Sequence, residues 1–454
     1  MIPRYSSYRD PRSSISFDGA RVIRRFDEVG AQAFQAAEQA GVLGELVADG
    51  IVPRFEVIGD SPLLIAVDPI SFVSYPEEWT PGMLRDAGLL TLEISRRLWS
   101  HGFHLRDASA YNVVFDGDRP VFVDLGSVGT GHTPLWTAYG QFCDHFLNPL
   151  LIESRLGIPF SDVWSLEGVS VEITHKMLHG SHRRGKGVLT NVTMRARLET
   201  KHSEDSAAER SSARKELSLS PQRVDALMEG MEATIRGLRF PEVSTWSHYE
   251  KDNSYDEERA ASRDASIRRF AQTASRQERA LDIGANAGRH TAILAEEYQE
   301  VIAVDSDRVA LEALRARFQD QAATGLIFPV VADIADPTSS KGFLNYERSG
   351  LIERLSGADS AIWMAVIHHL AIGRGIPLRH IATLAATLAP RHLIEFVEPD
   401  DPMVQLLSAS RSGEHHEYSV AEFESAFGEV FEVKPLGKTI PTRSLYEVTS
   451  SLGG

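Results

Sequence analysis

The chain has almost no cysteine and no long apolar segment. Cys143 is the single cysteine among 454 residues, so no disulfide can form within the chain, and such usage is typical of a reducing compartment. No apolar run reaches the roughly 18 residues that a membrane-spanning helix requires. The first residues also lack the charged-then-apolar pattern of a secretion signal. We therefore expect a cytoplasmic protein without a membrane span.

Positive charge is also scarce. The formal net charge is −16, which argues against a general nucleic-acid binder because such proteins carry a basic surface. One basic stretch, residues 175–186 with further basic residues up to Lys201, opposes this trend. It is typical of a solvated helix end, although it could also grip an anionic acceptor or, in a less favoured hypothesis, a nucleic acid. Nothing else in the sequence supports a metal site at its three histidines, His175, His179 and His182.

The length and composition indicate a globular protein with more than one domain. A chain of 454 residues favours two or three domains. A hydrophobic share of 43% and a charged share of 24% are those of an ordinary soluble protein. Residues 203–220 are rich in serine, alanine, glutamate and arginine, as in a linker or an exposed helix. We expect one domain at 1–185, a connector at 186–245 and a second domain at 246–454.

The most informative motif begins at Leu281 and continues to Asp305. It is predicted to form a strand, a glycine-bearing loop, a helix and a second strand that ends in an acidic residue. Gly284 and Gly288 allow a tight turn that can approach a ligand closely, and Asn286 between them tolerates a positive φ. A carboxylate at Asp305 can accept both hydroxyls of a ribose. The order of these features indicates a nucleotide pocket.

The spacing within this loop favours one nucleotide ligand over another. A dinucleotide-binding loop has the spacing G-x-G-x-x-G, whereas this loop reads G-x-N-x-G. Asp282 precedes the loop by two residues, and its carboxylate suits a cationic amino group but repels a pyrophosphate. The segment resembles motif I of the class I S-adenosylmethionine-dependent methyltransferases. The resemblance implies S-adenosylmethionine as cofactor, and it implies that Asp333, after the third strand, faces the adenine amine.

The remaining carboxyl-terminal sequence predicts an α/β fold. Strands alternate with helices and a hairpin closes the chain, which indicates a Rossmann-like, seven-stranded and mostly parallel sheet. Ligands bind such sheets at the carboxyl ends of the strands. The predicted strands share apolar composition and lie at 280–283, 301–305, 327–332, 360–367, 392–397, 431–433 and 445–448. We therefore expect Asp282, Asp305, Asp333 and His368 to share one cleft.

Two adjacent histidines are the candidate catalytic residues. His368 and His369 follow the fourth strand, where the resemblance places the acceptor, and an imidazole is a suitable base at neutral pH. Both could equally be packing or ribose-side residues, and the sequence does not decide which of them faces the cleft. Glu395 and Glu398 are alternatives. Four upstream residues could cap the cleft or belong to a surface helix: Trp246, Tyr249, Asn253 and Tyr255.

A second motif lies in the first 180 residues. The run from His104 to Asn112 is followed by a predicted hairpin and by Asp124-Leu125-Gly126, an order that resembles the catalytic loop and D-F-G motif of protein kinases. The resemblance implies an α+β kinase-like domain. It also implies that Asp107 is a catalytic base and that Asn112 and Asp124 hold magnesium, with Mg·ATP as a second ligand.

The same region departs from the kinase pattern at its start. No lysine precedes Lys176, so the lysine that should bind the phosphates does not exist, and no glycine-rich loop occurs there. A strand at 20–26 could place Arg24 or Arg25 in the lysine's position, with Glu38 of the next helix as partner. Arginine is not a neutral replacement for lysine. The domain is therefore either a degenerate lobe or a second active centre.

Taken together, the two halves resemble a bacterial family of kinase-like and methyltransferase fusions that includes nodulation-type methyltransferases. The resemblance implies a methyltransferase but says little about its acceptor. The pocket motif, the histidine pair and the acidic net charge favour transfer to an oxygen or nitrogen of a small-molecule or glycan acceptor. The alternative is a bifunctional enzyme that also phosphorylates the acceptor with Mg·ATP. A catalytically dead scaffold is disfavoured because Asp282, Gly284, Gly288 and Asp305 are all present.

Overall fold

The computed structural model describes residues 9–19, 21–133, 136–197, 219–243, 257–319, 325–410 and 416–450. The chain forms two compact units, the first being Met1–Glu242 with Gly342–Arg348 and the second Val243–Lys341 with Ser349–Gly454. The division lies close to the expected limit at 246, while the three-part organisation stays a prediction. The four upstream candidates Trp246, Tyr249, Asn253 and Tyr255 lie outside the described residues.

The first unit opens with a small antiparallel sheet. Its four strands have the order β1-β2-β4-β3. The helix α1, Glu28–Gln39, follows β2 and begins where the side chain of Asp27 accepts the backbone N–H of Gly30 at 2.6 Å, as an N-cap residue does. The strands are β1 Ser13–Asp18, β2 Arg21–Phe26, β3 Phe55–Asp60 and β4 Leu63–Val67.

The rest of the first unit is mainly helical. The helix α3, Pro81–Ser100, is capped by Thr80 and has proline at its first position, where the missing N–H costs nothing. A hairpin of β6 and β7 lies between the two parts of the kinase-like motif, as predicted. The other elements are α2 Val42–Ala48, β5 Phe103–Leu105, β6 Val113–Asp116, β7 Arg119–Phe122, β8 Val128–Thr130, α4 Tyr139–Phe142, α5 Asn148–Leu156, α6 Val171–Met177, α7 Lys186–Val188 and α8 Pro221–Arg236.

The second unit contains the predicted seven-stranded sheet. Its order is β11-β10-β9-β12-β13-β15-β14; the first five strands in this order are parallel, and β15 runs antiparallel to both of its neighbours. The prediction of a mostly parallel sheet is confirmed. The strands are β9 Arg279–Ile283, β10 Glu300–Asp305, β11 Leu326–Val331, β12 Ser360–Met364, β13 Arg391–Val397, β14 Phe431–Ile440 and β15 Arg443–Ser450.

Helices connect these strands, and the predicted end of the fourth strand is wrong. The strand β12 ends at Met364 rather than at 367, because Ala365 adopts a left-handed conformation with φ of 59° and the chain then enters a π-helical turn, His369–Gly373. The helices are α9 Glu257–Gln272, α10 Arg289–Leu294, α11 Arg308–Gln319, α12 Leu351–Leu355, α13 Leu378–Leu388, α14 Pro402–Ser410 and α15 Val420–Gly428. Within the described ranges, no helix combines the length and apolarity needed to cross a membrane.

Candidate active site

The loop after β9 turns sharply at three positions. Gly284, Asn286 and Gly288 all have positive φ values, of 80°, 48° and 78°, as the motif predicted. A Cβ atom added to Gly284 would lie 2.5 Å from Cγ2 of Val366, so only glycine fits where the loop passes the end of β12. The loop therefore leaves a backbone-lined space at the edge of the sheet.

Asp305 is held by this loop. At the end of β10, its Oδ2 accepts the backbone N–H of Asn286 at 2.8 Å, and its Oδ1 accepts that of Asp307 at 2.8 Å. Burial raises the pKa of Asp305, and the two backbone N–H groups partly oppose this shift. The carboxylate is thus fixed in orientation before any ligand binds.

A cleft of about 470 Å³ opens above these residues. The carboxyl ends of β9, β10, β11 and β12 border it, which is where open α/β sheets bind ligands, and its size is within the range of small-molecule pockets. The glycine loop, the oriented carboxylate and this volume fit S-adenosylmethionine. Residues that line the cleft include Gly284, Asn286, Asp305, Asp333, Ile334, Ala365, His369 and Arg374.

Asp282 lies beneath the loop and is not among the residues that line the cleft. It is fully buried, and its Oδ2 accepts the hydroxyl of Thr291 at 2.7 Å. Its Oδ1 has no hydrogen-bond partner among the described residues. Burial raises the pKa of Asp282 to about 7. The carboxyl holds the start of α10 against β9, and the expected contact with a cationic amino group stays a prediction that the free Oδ1 favours.

Asp333 borders the cleft beside an arginine that the sequence motif did not indicate. Its Oδ1 accepts the backbone N–H of Ala335 at 2.9 Å, and its Oδ2 pairs with the guanidinium of Arg374. Arg374 follows the π-helical turn after β12, so 41 residues of sequence separate the two partners. Both side chains line the cleft, and the positive charge of Arg374 compensates Asp333.

The two histidines have different positions. His369 lines the cleft, whereas His368 is fully buried and does not. Their ring centroids are 4.1 Å apart, and neither ring nitrogen of His368 has a hydrogen-bond partner among the described residues. Burial and then the charge of Arg443 lower the pKa of His369. His369 is therefore the histidine that faces the cleft, and burial favours the neutral form of its ring by lowering its pKa.

A buried ion pair includes one residue that lines the cleft. Nη2 of Arg263, from α9, lies 3.1 Å from Oε2 of Glu395, and the hydroxyl of Thr439 donates to Oε1 of Glu395 at 2.8 Å. Arg263 lines the cleft. Glu398, the other alternative base, accepts Lys438 at 3.0 Å and Ser444 at 2.6 Å. Both glutamates are thus structural partners of other side chains and do not line the cleft.

The kinase-like motif forms a cluster around Asp124. The guanidinium of Arg24, on β2, lies 2.6 Å from Oδ1 of Asp124. The amide of Asn112 donates to Oδ1 of Asp107 at 3.2 Å. Burial raises the pKa of Asp107. Glu38 was expected to pair with Arg24 or Arg25. For Arg24 this prediction is wrong, because Arg24 pairs with Asp124 and Glu38 is exposed. With a guanidinium on Asp124, these residues do not fit a magnesium–nucleotide complex.

The basic stretch is partly neutralised by acidic neighbours. Lys176 pairs with Glu172 at 2.6 Å, and Arg195 pairs with Asp144 at 2.9 Å. Lys201 lies outside the described residues. No group of histidine, cysteine or carboxylate side chains in the described part of the chain has the arrangement of a metal site.

A protein of known name is similar to this chain over most of its length. The nodulation protein NoeA of Rhizobium meliloti (strain 1021) is 28% identical over 438 residues, which cover 93% of this chain and 90% of NoeA. No family model matches the chain. The similarity to NoeA spans both units and confirms the resemblance to nodulation-type proteins.

Several solved structures align with parts of the chain. The bifunctional kinase-methyltransferase WbdD is 16% identical, with a TM-score of 0.33, over 45% of this chain and 41% of WbdD. The N-methyltransferase NodS from Bradyrhizobium japonicum WM9, solved with S-adenosylhomocysteine, is 15% identical, with a TM-score of 0.33, over 45% of this chain and 97% of NodS. This chain therefore spans less than half of WbdD.

Proposed function

We propose that this chain, a class I S-adenosylmethionine-dependent methyltransferase with a kinase-like unit before it, methylates an oxygen or nitrogen of a small-molecule or glycan acceptor. The observation that carries the proposal is the bond between Asp305 and the backbone of Asn286. This hydrogen bond joins the carboxylate at the end of β10 to the glycine loop. A ribose-binding pocket needs these two parts side by side. The sheet order and the cleft beside the loop support the same proposal.

The donor side of the cleft is built to hold a nucleoside with an amino acid tail. S-adenosylmethionine supplies a methyl group already activated on a sulfonium. Asp305 would accept ribose hydroxyls, the backbone at Gly284 would allow close approach, and Asp333 would accept the adenine amine. Asp282, with one free oxygen at the end of β9, would balance the positive charge of the ammonium group.

The acceptor side contains the base. His369 borders the cleft and is neutral, because burial lowers its pKa. A neutral imidazole can take the proton of a hydroxyl or an amine as it attacks. A concave cleft and a net charge of −16 favour a small acceptor over a nucleic acid. Sugars and amino sugars carry the hydroxyl and amine groups that this chemistry requires.

Calorimetry with S-adenosylmethionine on the full chain tests the donor assignment. We expect Asp305→Ala to weaken binding by about 10- to 100-fold, because the variant loses charge-assisted hydrogen bonds and a loop anchor. The matched control is Asp336→Asn, since Asp336 is an exposed carboxyl that does not line the cleft. Equal affinity in wild type and Asp305→Ala would overturn the pocket assignment.

A further inference from the structure

Arg24 occupies a fixed position beside the D-F-G-like aspartate. Its Nη1 donates to Asp124 at 2.6 Å and to the hydroxyl of Ser13 at 2.7 Å, and its Nη2 donates to the carbonyl of Val123 at 3.1 Å. The arginine side chain is 7% exposed and the aspartate side chain 15%. Three acceptors from two segments thus hold one buried guanidinium.

The backbone near this guanidinium leaves no space for a side chain at Gly126. A Cβ atom added to Gly126 would lie 2.2 Å from the hydroxyl oxygen of Ser13 and 2.9 Å from Nη1 of Arg24. The carbonyl of Gly126 also accepts Nη2 of Arg106 at 2.5 Å. The glycine of the Asp124-Leu125-Gly126 motif is therefore required here by the packing of Ser13 and Arg24, irrespective of any nucleotide.

At the second expected metal ligand, only the amide nitrogen is engaged within the protein, and this contact does not involve the oxygen that would bind a metal. The amide nitrogen of Asn112 points at Asp107, whose Oδ1 accepts it at 3.2 Å and accepts the backbone N–H of Ser109 at 2.8 Å. The chain before Lys176 has no lysine to hold phosphates. A magnesium ion placed on Asp124 would share the carboxylate with the guanidinium of Arg24, and the two cations would repel each other at low dielectric.

We propose that Arg24 is the permanent counter-ion of Asp124, in the place of a magnesium ion, so that the kinase-like unit keeps its fold without binding Mg·ATP. The pair then acts as a structural bond between the small sheet and the Asp124 loop. The proposal concerns the first unit alone and does not depend on methyl transfer by the second.

Melting temperature and nucleotide binding, both measured on the full chain, separate this proposal from a working kinase centre. Asp124→Asn should lower the melting temperature by about 5 °C or more, because it leaves the buried guanidinium of Arg24 without its charge partner. Arg24→Gln should lower it similarly. The control is Arg25→Gln, an exposed arginine on the same strand, which should change it little.

Nucleotide binding supplies the second readout. Calorimetry of the wild type with Mg·ATP, and with magnesium chloride alone, should give no binding heat. The proposal is overturned if the wild type binds Mg·ATP, and loss of that binding in Asp124→Asn would assign the nucleotide to this site. It is also overturned if the melting temperature of Asp124→Asn equals or exceeds that of the wild type. Such a result is expected of a metal-binding carboxylate, because without its metal the carboxylate repels neighbouring carboxylates and the substitution removes this repulsion.

Discussion

Asp305 and Asn286 are joined by a hydrogen bond of 2.8 Å from the backbone N–H of the loop to the carboxylate at the end of the neighbouring strand. The two residues lie 19 positions apart in the sequence. The bond fixes the distance between the glycine loop and the acidic residue that follows β10. The cleft is consequently preorganised, and a ligand that uses both parts does not have to order them.

Substitution of Gly284 should disrupt this arrangement. In Gly284→Ala, the new Cβ would meet Val366 and the residue would keep a positive φ of 80°, which costs a non-glycine residue about 1–3 kcal/mol. We expect the loop to move and the affinity for S-adenosylhomocysteine, measured by calorimetry, to fall at least tenfold. Gly428→Ala is the control, because nothing lies within 4 Å of a Cβ there. Equal losses in the two variants would contradict the prediction.

His369 should be needed for the chemical step and not for donor binding. We expect His369→Ala to reduce methyl transfer by about 10²- to 10⁴-fold, the usual contribution of a general base, with unchanged affinity for S-adenosylmethionine. The measurement is transfer of a labelled methyl group to a panel of sugars and amino sugars. His380→Ala, at an exposed histidine of α13, serves as control. Wild-type rates in His369→Ala would exclude this residue as the base.

The buried carboxyl of Asp282 should make stability depend on pH. Its pKa is about 7 in the folded protein and about 3.9 in an unfolded chain, so between these values the folded state binds the extra proton. The stability that this proton contributes is complete below about pH 4 and is lost as the pH rises through about 7.

Comparison with Asp282→Asn isolates this effect. The variant keeps a hydrogen-bonding side chain without the ionisable group. The difference in free energy of unfolding between wild type and variant, from urea titrations across pH 4 to 8, should shift against the wild type as the pH rises. A constant difference across that range would show that Asp282 does not titrate as described.

The parts of the site that were predicted are those fixed by neighbouring residues in sequence. The positive φ values at Gly284 and Asn286 follow from residue type and spacing, and the parallel arrangement of the strands follows from alternating strands and helices. The pair of Asp333 with Arg374 joins residues 41 positions apart, and no local pattern indicates it. The alternation of side chains along β9 likewise did not predict that Asp282 lies beneath the loop. The position of Asp282 depends on how α10 packs against the strand.

In the first unit, too, the sequence predicted local features but not contacts between distant residues. The catalytic-loop resemblance led to the hairpin between Asn112 and Asp124, which is a local feature. Glu38 in the next helix was expected to pair with Arg24 or Arg25, whereas Arg24 pairs with Asp124, 100 residues further along the chain. Only the folded arrangement of the small sheet brings these two charges together.

Binding of S-adenosylhomocysteine and of NAD⁺ to the full chain, compared by calorimetry under identical conditions, tests the central claim most directly. The loop spacing, Asp282 and the Asp305 carboxylate favour a ligand with a cationic tail over one with a pyrophosphate. We expect S-adenosylhomocysteine to bind at one site per chain and NAD⁺ to give no binding heat. Binding of NAD⁺ without binding of S-adenosylhomocysteine would contradict the account.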